Sequence, residues 1–224
     1  MKSKIKLTES IFLAVMSFFC IALSVARVLF THDPIYLTLN WNLFLAFIPW
    51  AVTSLLMINP ALIKRKVILA IMLIAWLAFF PNAPYILTDL FHLRDHSNVP
   101  LWFDFIMMFS FAWTGLLFGF ISLMEMEVIL ERYLNRWMVN ILVVLLLFLG
   151  SYGIYLGRFM HYNSWDILQD PTELAKGIAE QALNPATQKR MYAMTLLLGI
   201  LLNFMFWSVK LISSRNYTRE RITD

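Results

Sequence analysis

The sequence predicts an all-α fold: a polytopic bundle of about six transmembrane helices with short interfacial helices on its outer face. Of its 224 residues, 60% are hydrophobic and 14% are charged, whereas soluble domains carry about 25% charged residues. Six apolar stretches are long enough to cross the bilayer hydrocarbon, which takes about 20 helical residues. These stretches lack the alternation of polar and apolar residues that is typical of transmembrane β-strands.

The six predicted spans follow one another without an internal repeat or a low-complexity linker, so we expect a single integral-membrane domain over residues 1–224. The first apolar run is about twice as long as a signal-peptide core, and we expect it to be retained as a transmembrane helix. A capping pattern at Asp170-Pro171-Thr172-Glu173 predicts an interfacial helix in the last outer loop. The approximate bounds of the spans are 9–30, 41–59, 66–81, 102–124, 137–157 and 191–212.

Lysine and arginine predict the orientation, because cytoplasmic loops of membrane proteins are enriched in these residues. With a cytoplasmic N-terminus, twelve of the 18 lie on the inner side: Lys2, Lys4, Lys6, Lys64, Arg65, Lys66, Arg132, Arg136, Lys210, Arg215, Arg219 and Arg221. The outer side holds Arg27, Arg94, Arg158, Lys176, Lys189 and Arg190. We therefore expect a multi-pass protein of the cell (plasma) membrane with both termini in the cytoplasm. The basic residues form no continuous stripe, so no nucleic-acid partner is expected.

The third span runs into the segment FFPNAPYILTDLFHLRDH, residues 79–96, which places two prolines in an apolar region. Pro81 and Pro84 each lack an N–H and restrict the residue before them, so we expect the span to end there. Asn82 is the predicted N-cap of a new short helix, with Pro84 in its first turn.

An α-helix over residues 84–96 would be amphipathic and would lie at, or dip into, the outer interface. Tyr85, Asp89, His92 and His96 follow one another at spacings of four, three and four. An α-helix brings residues at these spacings onto one face. Such a helix is either part of a polar site or an interfacial linker whose Asp and His side chains have no further role.

The polar residues of the outer side supply a candidate site. Asp89, His92, Asp104 and Asp166 are the candidate catalytic residues, since carboxylate and imidazole groups together perform general acid–base chemistry. A divalent metal is the alternative, because D-x-x-H puts two ligands on one helical face. The candidate metal ligands are Asp89, His92 and His161. The candidate substrate-binding residues are Asn82, Tyr85, Arg158, Asn163 and Trp165.

Other charged residues near the ends of the spans receive more specific readings. Arg158 is expected to hold an anionic group of a substrate, for which a guanidinium is suited. Arg27 could bind an anion in the same way, but extension toward the lipid headgroups is the favoured interpretation for this residue. Glu125 and Glu127 are interpreted as part of the polar rim at the cytoplasmic end of the fourth span.

Two G-x-x-x-G motifs, Gly115–Gly119 and Gly153–Gly157, lie in the fourth and fifth spans. Glycines at this spacing allow a second helix backbone to approach closely. The motifs predict either contacts within the bundle or interfaces with another chain.

The motifs FPNAPYILTDLFHL, W-x-D from Trp102 to Asp104 and GRF…NSWD within residues 157–166 resemble an uncharacterised bacterial integral-membrane family, domain of unknown function 1361. The resemblance extends from the Trp41-Asn42 region to the sixth span. It implies a multi-spanning bacterial membrane protein, and it implies no particular reaction.

Three functions are compatible with this pattern. The leading one is a membrane enzyme that faces the extracytoplasmic side and acts on a lipid or cell-envelope precursor, with the bilayer and a lipid-linked or anionic substrate as partners. The second is a transporter of a small solute or ion, whose site would usually lie near the bilayer midplane. The third is a non-catalytic scaffold, as a homo-oligomer or within a membrane complex. Serine-nucleophile and P-loop motifs do not occur in the sequence.

Overall fold

The computed structural model describes residues 2–93, 99–160 and 185–223, which form eight α-helices and two 3₁₀ helices and contain no strand. The α-helices are α1 (Lys2–Thr31), α2 (Thr38–Ile58), α3 (Pro60–Lys64), α4 (Lys66–Phe79), α5 (Asn82–Tyr85), α6 (Leu101–Leu130), α7 (Arg136–Met160) and α8 (Pro185–Thr223). The 3₁₀ helices are Pro34–Leu37, between α1 and α2, and Ile86–His92, after α5. The predicted all-α class is confirmed.

Six stretches of the described residues are helical, long and apolar enough to cross a membrane, as predicted. They are Lys6–Thr31, Pro34–Ile58, Lys66–Phe91, Leu101–Leu130, Arg136–Arg158 and Met191–Ser213. The chain is therefore a multi-pass membrane protein. Contacts between Cα atoms divide it into two compact units, Met1–Glu125 and Met126–Asp224, each with packing of its own.

In the first unit, α6 is the most buried of the spans. Apolar residues occupy all of its faces, which is typical of a helix that other elements surround. Its buried residues pack in one cluster with residues of α1 and α2; among them are Met107, Phe111, Ala112, Leu13, Cys20, Leu43 and Ala46. The core of this unit therefore lies along α6.

The third span is broken at its prolines, as predicted. A proline has no N–H for the carbonyl one turn earlier, so the helical ladder is interrupted there. Helix α4 ends at Phe79, and Pro81 is the N-cap of the four-residue helix α5. The prediction that Asn82 is the N-cap is wrong, because its Nδ2 instead donates to the carbonyl oxygen of Phe79 at 3.0 Å.

The conformation after the break differs from the predicted α-helix over residues 84–96. The chain continues from α5 as the 3₁₀ helix Ile86–His92. A 3₁₀ helix repeats every three residues, so Asp89 and His92 share one row along it. Tyr85, four residues before Asp89, does not belong to that row.

The described part of the segment is more buried than predicted: Asp89, on the face expected to be wet, is 7% exposed. Ala83 and Ile86 are 0% exposed. A Cβ added to Gly115 would lie 3.1 Å from the carbonyl oxygen of Ala83, and one added to Gly119 would lie 2.8 Å from the Cβ of Ala83. The first G-x-x-x-G motif therefore marks a close approach, and the approaching element is α5 of the same chain. Because these glycines lie near the middle of α6, the break lies deeper in the span than expected.

In the second unit, α7 and α8 pack against each other as antiparallel helices. The hydroxyl of Ser151 donates to the carbonyl oxygen of Thr195 at 2.9 Å. A Cβ added to Gly199 would overlap the ring of Phe148, so the absence of a side chain at Gly199 permits this packing. A contact at the second motif, Gly153–Gly157, stays a prediction.

Gly119→Ala is expected to lower the stability of the protein by about 1–3 kcal/mol, because the added methyl group overlaps the Cβ of Ala83, which cannot rotate away. Ala83→Gly removes the methyl group that it meets, so the double variant should be more stable than the sum of the two single effects predicts. Thermal unfolding of the purified proteins in detergent measures this coupling. Additive effects would mean that α5 and α6 do not touch at these residues.

Candidate functional site

A buried ion pair joins α1 to α6 at one end of the first unit, which we call the Arg27 end. Nε of Arg27 donates to Oδ1 of Asp104 at 2.9 Å, and Nη2 donates to Oδ2 at 3.2 Å. The two residues are 2% and 1% exposed. A bidentate pair offsets the loss of hydration of the two buried charges better than a pair with a single hydrogen bond. The prediction that Arg27 extends to the lipid headgroups is therefore wrong, because its guanidinium meets a carboxylate inside the bundle.

The 3₁₀ helix Pro34–Leu37 lies against this ion pair. Cζ of Arg27 is 4.4 Å from the centroid of the Tyr36 ring, a cation–π contact. Nη1 of Arg27 donates to Oγ1 of Thr31 at 2.8 Å. Asp33 starts the 3₁₀ helix by accepting the backbone N–H two residues later at 3.0 Å. Each guanidinium nitrogen of Arg27 therefore has a partner within the chain.

Two further polar contacts lie deeper along the helices than the ion pair. Asn40 donates from Nδ2 to the hydroxyl of Ser24 at 3.0 Å, which joins α2 to α1 about one turn before Arg27. Asn42, two residues further into α2, donates from Nδ2 to Oδ2 of Asp89 at 2.9 Å. Asp89 is 7% exposed. Its carboxylate is therefore held inside the bundle, at the junction of α2 and the 3₁₀ helix Ile86–His92.

The other predicted residues of this segment lie on neighbouring turns. Asn82 and Tyr85 are the first and last residues of α5. The carbonyl oxygen of Tyr85 accepts from the hydroxyl of Thr88 at 2.7 Å. His92 is the last residue of the 3₁₀ helix, one 3₁₀ turn after Asp89. The backbone thus separates the candidate acid–base residues Asp89 and His92 by one 3₁₀ turn.

The described residues contain only part of the predicted site. Asp104 is engaged by Arg27, and Arg158 lies in the last turn of α7, in the second unit. The predicted residues His161, Asn163, Trp165 and Asp166, together with His96, lie outside the described residues. Within the part of the chain that the structure describes, no group of three or more His, Cys, Asp or Glu residues is arranged to hold a metal ion. A metal bound by Asp89, His92 and His161 stays a prediction.

A second polar cluster lies at the other end of the first unit, which we call the Lys6 end. Nζ of Lys6 donates to Oε1 of Glu9 at 3.0 Å and also to Oε1 of Glu125. Oε2 of Glu125 accepts from the hydroxyls of Thr53 at 2.7 Å and Ser54 at 3.3 Å. Glu125 is 9% exposed. Its interpretation as part of a solvated rim is wrong, because it links α1, α2 and α6 from inside the bundle.

Glu127 is also buried, and in the second unit it links α6 to α8. Its Oε1 accepts from Nζ of Lys210 at 2.6 Å. The same ammonium group lies 4.5 Å from the centroid of the Trp207 ring. The rim interpretation is therefore wrong for this glutamate as well.

The two clusters of the first unit share a spacing that the sequence analysis missed. Lys6 and Arg27 are 21 residues apart on α1, and Asp104 and Glu125 are 21 residues apart on α6. In a helix this separation is about 32 Å, close to the roughly 30 Å of bilayer hydrocarbon. One signal in the sequence could have identified both ion pairs: one apolar span has a basic residue at each end, and another span has acidic residues at the same spacing. The bond from Asn42 to Asp89 has no comparable signal.

Comparison with known proteins assigns the chain to a family. Residues 41–205 match the family described as Protein of unknown function (DUF1361). The match covers more than half of the 224 residues, so the chain belongs to this family, as the resemblance of its motifs indicated. No curated protein and no solved structure matches it.

Removing one partner of the buried ion pair is expected to destabilise the protein more than removing both. Arg27→Met or Asp104→Asn leaves a buried charge without its counter-charge and should cost about 3–5 kcal/mol. The double variant Arg27→Met/Asp104→Leu, with apolar groups of similar size, should have an unfolding midpoint close to that of the wild type. Detergent-solubilised protein unfolded with heat or denaturant gives these differences.

Arg65→Met serves as the control, because Arg65 is exposed. It should leave the unfolding midpoint unchanged. Single variants at Arg27 and Asp104 that unfold at the wild-type midpoint would show that the two side chains are hydrated separately in the folded protein.

Proposed function

We propose that the protein is a membrane enzyme that acts on a lipid or cell-envelope precursor, with Asp89 and His92 as its general acid–base pair. The site faces the extracytoplasmic side of the plasma membrane, and both termini lie in the cytoplasm, in line with the distribution of lysine and arginine. The observation that carries the proposal is the buried carboxylate of Asp89 in a broken transmembrane span.

A carboxylate inside a membrane span is costly to bury, and such residues are by default candidates for function. Asp89 lies within the span Lys66–Phe91 and is held by Asn42. An asparagine could accept that hydrogen bond equally well without the cost of a buried charge. A carboxylate at this buried position therefore supports a role in proton transfer.

The 3₁₀ conformation supports the pairing of Asp89 with His92. One 3₁₀ turn advances about 6 Å along the axis and returns to the same row. Ile86, one turn before Asp89 in this row, is fully buried against α6. A carboxylate fixed by Asn42 can orient an imidazole, whose pKa near neutrality suits it to take a proton from a hydroxyl or water and return it to a leaving group.

Further predicted residues enter the proposal, some from α5 and others from outside the described part of the chain. Asp166 is a further candidate acid or base, and Asn163 and Trp165 are candidate contacts for the substrate, with Asn82 and Tyr85 of α5. Asp89, His92 and His161 supply the mixture of carboxylate and imidazole donors that divalent metals such as zinc accept. A metal at these residues would polarise a substrate oxygen or a water molecule.

Asp89→Asn is expected to abolish function while leaving the fold intact, because the amide oxygen still accepts the bond from Asn42 but the side chain can no longer exchange a proton. The measurement is the profile of lipids and envelope precursors, by mass spectrometry, in cells that lack the gene and are complemented with each variant. Asp89→Asn should reproduce the profile of the gene deletion.

Asp33→Asn is the matched control, since Asp33 is exposed and an asparagine also caps a helical turn. It should restore the wild-type profile. Immunoblots of the membrane fraction report the abundance of each variant. Full restoration by Asp89→Asn at normal abundance would rule out proton transfer at this residue.

A transporter is the second candidate, and the depth of the break favours it. Ala83 lies against Gly115 and Gly119, near the middle of α6. Transporters often bind their solutes at discontinuous helices near the midplane. Proteoliposomes incubated with a cell-extract metabolite pool test this candidate. The expected sign of a transporter is a solute that accumulates in proteoliposomes with the wild type but not with Asp89→Asn. If the lipid profile of the cells is also unchanged in this variant, the enzyme proposal is replaced by the transporter proposal.

A scaffold that uses the first G-x-x-x-G motif as an interface between chains has less support. Gly115 and Gly119 are already occupied by α5 of the same chain. The proposal of a homo-oligomer or membrane complex is therefore restricted to other surfaces, such as the motif Gly153–Gly157.

A further inference from the structure

We propose that the second unit binds an anionic lipid, with an acyl chain in a cleft between α7 and α8 and the headgroup phosphate at Arg158. The cleft has a volume of about 280 Å³ and is lined by Phe148, Tyr192, Ala193, Thr195 and Leu196. All of these residues belong to the second unit, and the inference goes beyond the reaction proposed at Asp89.

The position and the lining of the cleft indicate that its occupant is an acyl chain. Phe148 lies in the span Arg136–Arg158, and the other lining residues lie in the span Met191–Ser213. Tyr192 and Leu196 are 57% and 55% exposed, so the cleft is open to the surroundings of the helices, which at this depth are hydrocarbon. Its surface is almost entirely apolar. A lipid tail is therefore the chemical group that fills it.

Thr195 adds a polar group to the wall of this cleft. Its Oγ1 is buried and has no hydrogen-bond partner among the described residues. An unpaired hydroxyl at membrane depth is costly, and threonine in a helix has two accessible χ1 rotamers. The wall of the cleft therefore holds a hydroxyl whose hydrogen-bonding capacity the described residues leave unused.

Arg158 supplies the charge for the headgroup. Phe148, Ser151, Tyr155 and Arg158 are spaced three, four and three residues apart, which places them on one side of α7. This is the side that meets α8, as the bond from Ser151 to Thr195 shows. Arg158 is the basic residue of the last turn of α7 and is partly exposed. A guanidinium there can bind a phosphate with two parallel hydrogen bonds.

The distance along α7 matches one lipid molecule. Ten residues separate Phe148 from Arg158, which corresponds to about 15 Å. Half of the bilayer hydrocarbon is also about 15 Å thick. A lipid whose phosphate lies at Arg158 therefore extends its acyl chain to the level of Phe148.

Native mass spectrometry of the detergent-purified protein tests the site, with phosphatidylglycerol and phosphatidylcholine of identical acyl chains as probes. The wild type should retain the anionic lipid more strongly. Arg158→Gln should weaken the binding of phosphatidylglycerol about fivefold and leave that of phosphatidylcholine unchanged. Ala193→Trp, which fills the cleft, should weaken the binding of both lipids.

Two exposed residues of the first unit provide matched controls. Arg65→Gln removes a guanidinium, and Ala70→Trp introduces the same indole at another lipid-facing helix. Both should bind the two lipids as the wild type does. Size-exclusion chromatography and circular dichroism establish that each variant is folded. If Ala193→Trp does not fold, Leu196→Trp serves as a second variant that blocks the cleft.

Equal binding of both lipids by the wild type, or phosphatidylglycerol binding unaffected by Arg158→Gln, would overturn the headgroup assignment. Unchanged binding in the folded tryptophan variant would overturn the cleft. Displacement of the lipid by inorganic phosphate would indicate a site for a free anion instead. Because lipid retention is measured without turnover, its outcome is independent of the Asp89→Asn test.

Discussion

A charged side chain buried in a transmembrane helix needs a counter-charge beside it, because an unpaired buried charge is costly. This requirement fixes how α1 lies against α6. Arg27 pairs with Asp104 at one end and Lys6 pairs with Glu125 at the other. Sliding either helix by one turn would separate both pairs by about 5.4 Å. Each buried charge left alone would cost several kcal/mol. The two pairs therefore fix one register for these antiparallel helices, with the apolar parts of both spans between the charges.

The register of α6 in turn sets the position of the broken span. Gly115 and Gly119 lie between the two charged ends of α6 and leave room for the backbone of α5. Ala83 fills that room, so the prolines fall deep in the bundle. From there the 3₁₀ helix leads back toward the Arg27 end and brings Asp89 to Asn42. The glycines matter here for the space they leave, and the polar contact at Asp89 follows from that close approach.

The sequence predicts those features that depend on local chemistry. Six spans follow from the lengths of the apolar runs, and the break of the third span follows from Pro81 and Pro84. The choice of a 3₁₀ over an α conformation after the break could not be predicted, because it depends on burial against α6. The same applies to Arg27, for which headgroups and a carboxylate in another helix are equivalent partners until the order of the helices is known.

The sequence predicts only part of the arrangement of the candidate site. Asp89 and His92 were selected from an α-helical spacing, and they remain in one row because three residues also complete a 3₁₀ turn. Tyr85 was selected by the same rule and leaves the row, since its spacing of four fits only the α-helix. The rim interpretation of Glu125 follows from its place at the end of the fourth span, shortly before Glu131 and Arg132, whereas its partners come from α1 and α2.

The two buried carboxylates toward the Arg27 end, Asp104 and Asp89, have different partners. Both oxygens of Asp104 accept from Arg27, so protonation of Asp104 would break a bidentate pair and leave a guanidinium buried without a counter-charge. Proton exchange at Asp104 would therefore carry the cost of an unpaired buried guanidinium, and the guanidinium nitrogens of Arg27 are bonded within the chain. Asp89 lies deeper, and Oδ2 of its carboxylate accepts from the uncharged amide of Asn42. The Arg27–Asp104 pair, by contrast, holds α1 against α6 with both of its carboxylate oxygens engaged.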